Sequence, residues 1–89
     1  MEKSIYSPEY SAFLQFLRES RRLKGFTQTE VGVRLGASQS FVSKCERGQR
    51  RLDLVETREF CKALEIDFID FVCHVHERLS AATSEHPNR

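Results

Sequence analysis

The chain predicts a compact all-α domain of five helices. Three observations carry this. Apolar residues recur at helical spacing in successive stretches, each stretch opens on a Ser, Thr or Asp suited to a helix N-cap, and no run alternates apolar with polar residues as a half-buried strand does. With 89 residues and 39% hydrophobic side chains, the chain suits one domain around a single core. The stability margin at this size is thin enough that a partner subunit would help.

The first helix is predicted over Pro8 to Lys24. Ser7 caps it, Pro8 suits its first turn, Glu9 favours its positive end, and Phe13, Phe16, Leu17 and Leu23 share a face until Gly25. Thr27 and Glu30 form a Thr-x-x-Glu capping box for a short second helix ending at Leu35 before Gly36. Ser38 caps a third, Gln39 to Arg47, with Val42 and Cys45 on one face and Gly48 as terminator. Asp53 caps a fourth helix with Leu54, Phe60, Cys61 and Leu64 apolar, and Asp67 a fifth, about 67–80. The domain then spans 8–80, with a flexible N-terminus at 1–7 and a flexible tail at 81–89.

The net charge of +1 conceals a strong separation. Between Arg18 and Arg51 stand nine basic residues against three acidic ones, a local balance of +6, flanked by −1 before and −4 after. A basic middle third is either a solvated helix face or a surface for a polyanion. Cys45, Cys61 and Cys73 contain no Cys-x-x-Cys pair, so they read as buried reduced thiols rather than disulfide or zinc ligands. His74 and His76 point to different sides of a helix, and Cys73 with His76 or Glu77 lacks a third ligand, so neither metal, cofactor nor enzyme activity is expected. No apolar run reaches the roughly 18 residues of a membrane helix and no signal pattern opens the chain, which is expected to be cytoplasmic.

Helices 2 and 3 are joined by Gly36-Ala37-Ser38 alone, and two short helices on such a turn cross steeply, as a helix-turn-helix does. Gly32 lets the backbones approach, Gly36 supplies the left-handed turn, and Val31, Leu35, Val42 and Cys45 give the pair an inward apolar side. Gln28-x-x-x-Gly32-x-x-x-Gly36, followed by Val42-Ser43-x-x-Glu46-x-Gly48-x-Arg50, resembles the phage repressor and Cro-type (Xre-like) helix-turn-helix family from about Leu17 to Leu64. The resemblance implies a lambda-repressor-like DNA-binding domain. Two departures stand out: Gly32 where the family usually has Ala, with a little helix stability lost, and Ser20 where many relatives are apolar.

The resemblance implies that the third helix enters the major groove, with Gln39, Ser40 and Lys44 as base readers. It also gives Gln28 a DNA phosphate, beside the free backbone donors of its helix end. Ser38, Ser43, Arg47, Arg50 and Arg51 flank the reading helix and are expected to clamp the backbone, with Arg50 or Arg51 alternatively reaching a minor groove. An acid at Glu46 suits structure better than DNA, and the resemblance pairs it with Arg21.

The apolar arc of the fifth helix is wider than one core-facing stripe. Phe68, Val72, Val75 and Leu79 can serve the core while Ile69 and Phe71 stand at the margins; Ile69, Phe71, Val72 and Val75 are the candidate contacts of a homodimer, their division between core and interface left open. The expected function is a regulator binding double-stranded DNA at a roughly palindromic operator, with no small-molecule ligand or membrane implied. Phage repressor, restriction-modification controller and stand-alone regulator all fit; an antitoxin-type autoregulator or a protein-binding adaptor on the same fold is the alternative.

Overall fold

The computed structural model describes residues 7–82, in which α1 (Pro8–Leu23), α2 (Gln28–Leu35), α3 (Gln39–Glu46), α4 (Leu54–Ala63) and α5 (Phe68–Ala82) follow one another. Of the flexible ends expected at 1–7 and 81–89, residues 1–6 and 83–89 lie outside the described residues. Ser7 caps α1, as its place before Pro8 predicts, and α5 continues past Ser80 to Ala82.

Local chemistry accounts for the helix starts. The Ser7 and Ser38 hydroxyls accept from the Tyr10 and Phe41 amides, while Thr27 with Glu30 and Asp53 with Glu56 close reciprocal capping boxes. The Asp67 carboxylate accepts from the Asp70 amide at 2.9 Å. At the other end of α2, Gly36 takes the left-handed conformation (φ 71°) that turns the chain into α3. The corresponding place after α4 is filled by Glu65 at φ 61°, a conformation that costs a non-glycine residue about 1 kcal/mol. Its carboxylate accepts from Arg34 Nη1 at 2.9 Å, and the same nitrogen donates to the Ala63 carbonyl at 3.1 Å. Arg34 also lies over the Phe26 ring at 4.3 Å, so Glu65 ties the end of α4 to α2.

The core gathers one inward stripe from each helix: Leu17 of α1, Val31 of α2, Val42 and Cys45 of α3, Phe60, Cys61 and Ala63 of α4 with Leu64 beyond its end, and Phe71 of α5. Two apolar residues expected to share in it do not, since Leu23 and Leu54 stand in solvent at the last turn of α1 and the first of α4. Helix α5 is turned differently from the expectation that set Phe71 at the margin and Val72 in the core. Phe71 is 2% exposed, Val72 is 41% exposed and Ile69 is 67% exposed. The reason is aromatic packing: Phe71 meets Phe16 at 5.2 Å and Phe13 edge-on at 6.4 Å, which rolls α5 onto its 68/71/75 face. Phe71 is therefore removed from the candidate dimer contacts. Arg78 holds the far end of α5, pairing with Glu19 at 2.8 Å over the Phe16 ring. The pair keeps the Glu19 carboxyl below its ordinary range.

The turn between α2 and α3 has closed onto Gly32. A Cβ there would stand 2.9 Å from the Ala37 carbonyl oxygen and 3.1 Å from the Ser38 backbone, so the glycine does more than forgo helix propensity. A branched side chain would push α3 away from α2. Gly32→Val is expected to lower stability by about 2–3 kcal/mol in urea unfolding; an unchanged midpoint would mean the turn yields freely.

The three thiols differ, contrary to the expectation that all are buried. Cys45 and Cys61 are buried, which pushes each thiol up to about 11, whereas Cys73 is exposed on α5. In dilute native protein at pH 8, one thiol of the three is expected to react rapidly with iodoacetamide, the other two only in denaturant. Rapid labelling of all three would show that the core opens readily.

Candidate nucleic-acid interface

Helix α3 has two unlike sides. Val42, Cys45 and Glu46 face inward and are buried, while Gln39, Ser40, Lys44 and Arg47 are exposed and Ser43 is half-buried. This follows from the 3.6-residue period on a helix held at both ends, by Ser38 and by the turn at Gly48. The residues expected to read bases thus project from one side of the molecule. Ser38 stands at the head of α3, its hydroxyl engaged by the Phe41 amide.

Beneath this surface lies a buried ion pair. The Glu46 carboxylate, 1% exposed, receives Arg21 Nε at 2.6 Å and Arg21 Nη2 at 3.1 Å, a two-pronged pairing that ties α3 to α1. Arg21 Nη1 also donates to the Phe26 carbonyl at 3.0 Å, and Arg18 Nη1 to the Glu46 carbonyl at 2.8 Å. Gln28 joins the same cluster: its Nε2 donates to Glu46 Oε1 at 2.9 Å, and its Oε1 accepts from Gln39 Nε2 at 2.7 Å. The amide expected to hold a phosphate is therefore wedged between the buried carboxylate and the first residue of α3.

The basic middle third is less basic in three dimensions than along the chain. Arg21, Arg34 and Arg50 are offset by Glu46, Glu65 and Glu56, and Glu65 and Glu56 come from outside that segment. Arg50 grips Glu56 through two nitrogens, at 2.7 and 2.9 Å, and donates to the Arg51 carbonyl at 2.7 Å. That contact keeps the Glu56 carboxyl below its usual range. Arg50 thus braces the link to α4 while its side chain stays exposed. Arg47 stays on the surface, donating to Gln49 Oε1 at 3.2 Å, and the Arg51 guanidinium lies over the Tyr10 ring at 4.2 Å. Tyr10 in turn accepts from the Leu52 amide at 3.1 Å, fixing this link against α1.

A shallow hollow opens at the start of α2, walled by Arg22, Thr27, Gln28, Thr29 and Gln39. Arg22 and Thr29 are candidate anion contacts that reading along the chain missed. Arg22 sits on the helix before the turn, and only the fold brings it beside Gln28. Among the described residues, no group of three or more His, Cys, Asp or Glu side chains is placed to hold a metal. No helix among them is long and apolar enough to cross a membrane.

A family model described as a helix-turn-helix domain matches residues 12–67, which takes in most of α1 and all of α2, α3 and α4. The chain belongs to the Xre-like helix-turn-helix family. The Xre-like domain is 40% identical in sequence to a solved XRE-family like protein from Pseudomonas syringae pv. tomato, with a TM-score of 0.77, covering 84% of this chain and 92% of that one. It is also 39% identical over 57 residues to an uncharacterized HTH-type transcriptional regulator of Sinorhizobium fredii, covering 64% of this chain and 74% of the relative. The Xre-like domain is accordingly a DNA-binding regulator with an all-α helix-turn-helix fold.

Proposed function

We propose that this regulator binds a roughly palindromic operator in double-stranded DNA as a cytoplasmic homodimer, with α3 in the major groove. The observation that carries the reading is the outward polar side of α3, set on a helix whose opposite side is buried. Gln39, Ser40 and Lys44 read bases: glutamine pairs in two-pronged fashion with adenine, and lysine donates to guanine. Gln28, Ser38, Ser43, Arg47 and Arg51 contact phosphates, joined by Arg22 and Thr29 at the start of α2. Arg50, exposed while it holds Glu56, contacts a phosphate with its remaining N–H donors.

The dimer reading rests on α5, where Ile69 and Val72 are apolar and exposed beside Cys73, with Val75 half-buried at the edge. A twofold contact through this stripe would carry two reading helices about 34 Å apart, one turn of DNA. Selection from random duplexes tests both halves of the proposal, and a recovered palindrome is the expected result. Gln39→Ala or Lys44→Ala should then lose about 1–3 kcal/mol at particular base pairs, with affinity for the selected site falling steeply as salt rises. Recovery of no common sequence, or affinity indifferent to salt, would leave α3 without a reading role. A monomer in sedimentation at tens of micromolar, with and without DNA, would refute the dimer.

A further inference from the structure

The roll of α5 leaves one of its faces unpacked. Ile69, Val72, Cys73 and His76 are all exposed and stand at positions i, i+3, i+4 and i+7, so a single stripe carries two apolar side chains, a thiol and an imidazole. From this we infer that two copies of the chain hold one zinc ion between their α5 helices, with Cys73 and His76 of each copy as its four ligands.

Three observations support the site. Cys73 and His76 stand one turn apart on one helix. Side chains at that spacing have Cβ atoms about 5–6 Å apart, within reach of one metal at the ~2.3 Å and ~2.0 Å that zinc keeps from thiolate and imidazole. Neither side chain has a hydrogen-bond partner among the described residues, whereas the other candidates are engaged or covered. His74 stacks on Phe16 and donates from Nδ1 to the Asp70 carbonyl at 2.9 Å, and Cys45 and Cys61 are buried. The third observation is size. Ile69 and Val72, with the edge of half-buried Val75, cover far less than the roughly 800 Å² that each partner buries in a stable protein–protein contact. A contact so small is marginal by itself, and small domains commonly gain the difference from a metal. One chain supplies two ligands, too few for a closed site, and a twofold axis passing beside Cys73 and His76 makes the count four. Two thiolates and two imidazoles in a tetrahedron suit zinc, and binding releases the two thiol protons. This inference rests on the dimer through α5 proposed above.

The test uses the untagged full chain under a phosphine reductant. Equilibrium dialysis against zinc is expected to leave one ion per two chains, and sedimentation to show a stronger dimer in zinc than in EDTA. With free zinc at about ten times its dissociation constant, dimer affinity rises about tenfold. C73S and H76A are expected to lose both the retained zinc and this gain, while H74A keeps both. All three residues are exposed, so helical circular dichroism should be unchanged in each variant. Zinc is also expected to slow the reaction of Cys73 with iodoacetamide, which an ion bound elsewhere would not do. A dimer that forms equally well in zinc and in EDTA overturns the inference and leaves the apolar contact standing. Retention of the half-equivalent of zinc by C73S overturns it too, because other ligands then hold the ion. A chain that stays monomeric in zinc, with and without DNA, overturns the dimer itself.

Discussion

Glu46→Ala is expected to lower the unfolding free energy by about 3–5 kcal/mol, the loss typical when one partner of a buried ion pair is removed. The carboxylate is 1% exposed and joins α3 to α1 through two nitrogens of Arg21. Truncation leaves the Arg21 side chain, itself 10% exposed, without the counterion that offsets its burial. It also strands the Gln28 amide. A domain of this size has roughly 5–10 kcal/mol in total, so the variant is expected to be partly unfolded near 37 °C. Urea or thermal unfolding followed by helical circular dichroism measures this. The comparison is Glu59→Ala, whose pair with Lys62 is long, at 3.5 Å, and exposed on both sides; it should change stability by less than about 1 kcal/mol. Equal effects for the two variants would mean that the buried pair carries no special weight.

Phe71→Ala is the second large effect, about 3–5 kcal/mol, because it removes a ring from the centre of the core and leaves a cavity between α1 and α5. The damage has a direction. Phe71 is the buried side chain of α5, so its loss is expected to loosen that helix first, seen as faster amide exchange along Phe68–Ala82 than along α2 and α3. Ile69→Ala, two residues away on the exposed side, should leave monomer stability within about 0.5 kcal/mol while weakening the proposed self-association. Reversal of these two results would return Phe71 to the subunit contact and Ile69 to the core.

Much of the fold was legible because its signals are local. Ser7, Thr27, Ser38, Asp53 and Asp67 each act within one turn, and Gly36 bends the chain by its own backbone freedom, so helix order and limits follow from neighbouring residues alone. The outward side of α3 was legible for the same reason: once Val42 and Cys45 face the core, helical geometry dictates where Gln39, Ser40 and Lys44 project. Glu65 shows the limit of such local reasoning. No glycine marks the end of α4, and the residue in the left-handed position there serves a contact to Arg34 made by distant chain.

Five capped helices with a tight turn between the second and third are therefore written in the residues themselves, since caps, glycine turns and helical period depend on chain neighbours. Tertiary packing alone chose the roll of α5, because positions three and four apart serve one face almost equally and only the rings of Phe13 and Phe16 favour Phe71. It also chose which charges remain for a polyanion, because Glu56 and Glu65 approach their arginines only in the folded chain, where Coulomb attraction depends on distance in space rather than along the sequence.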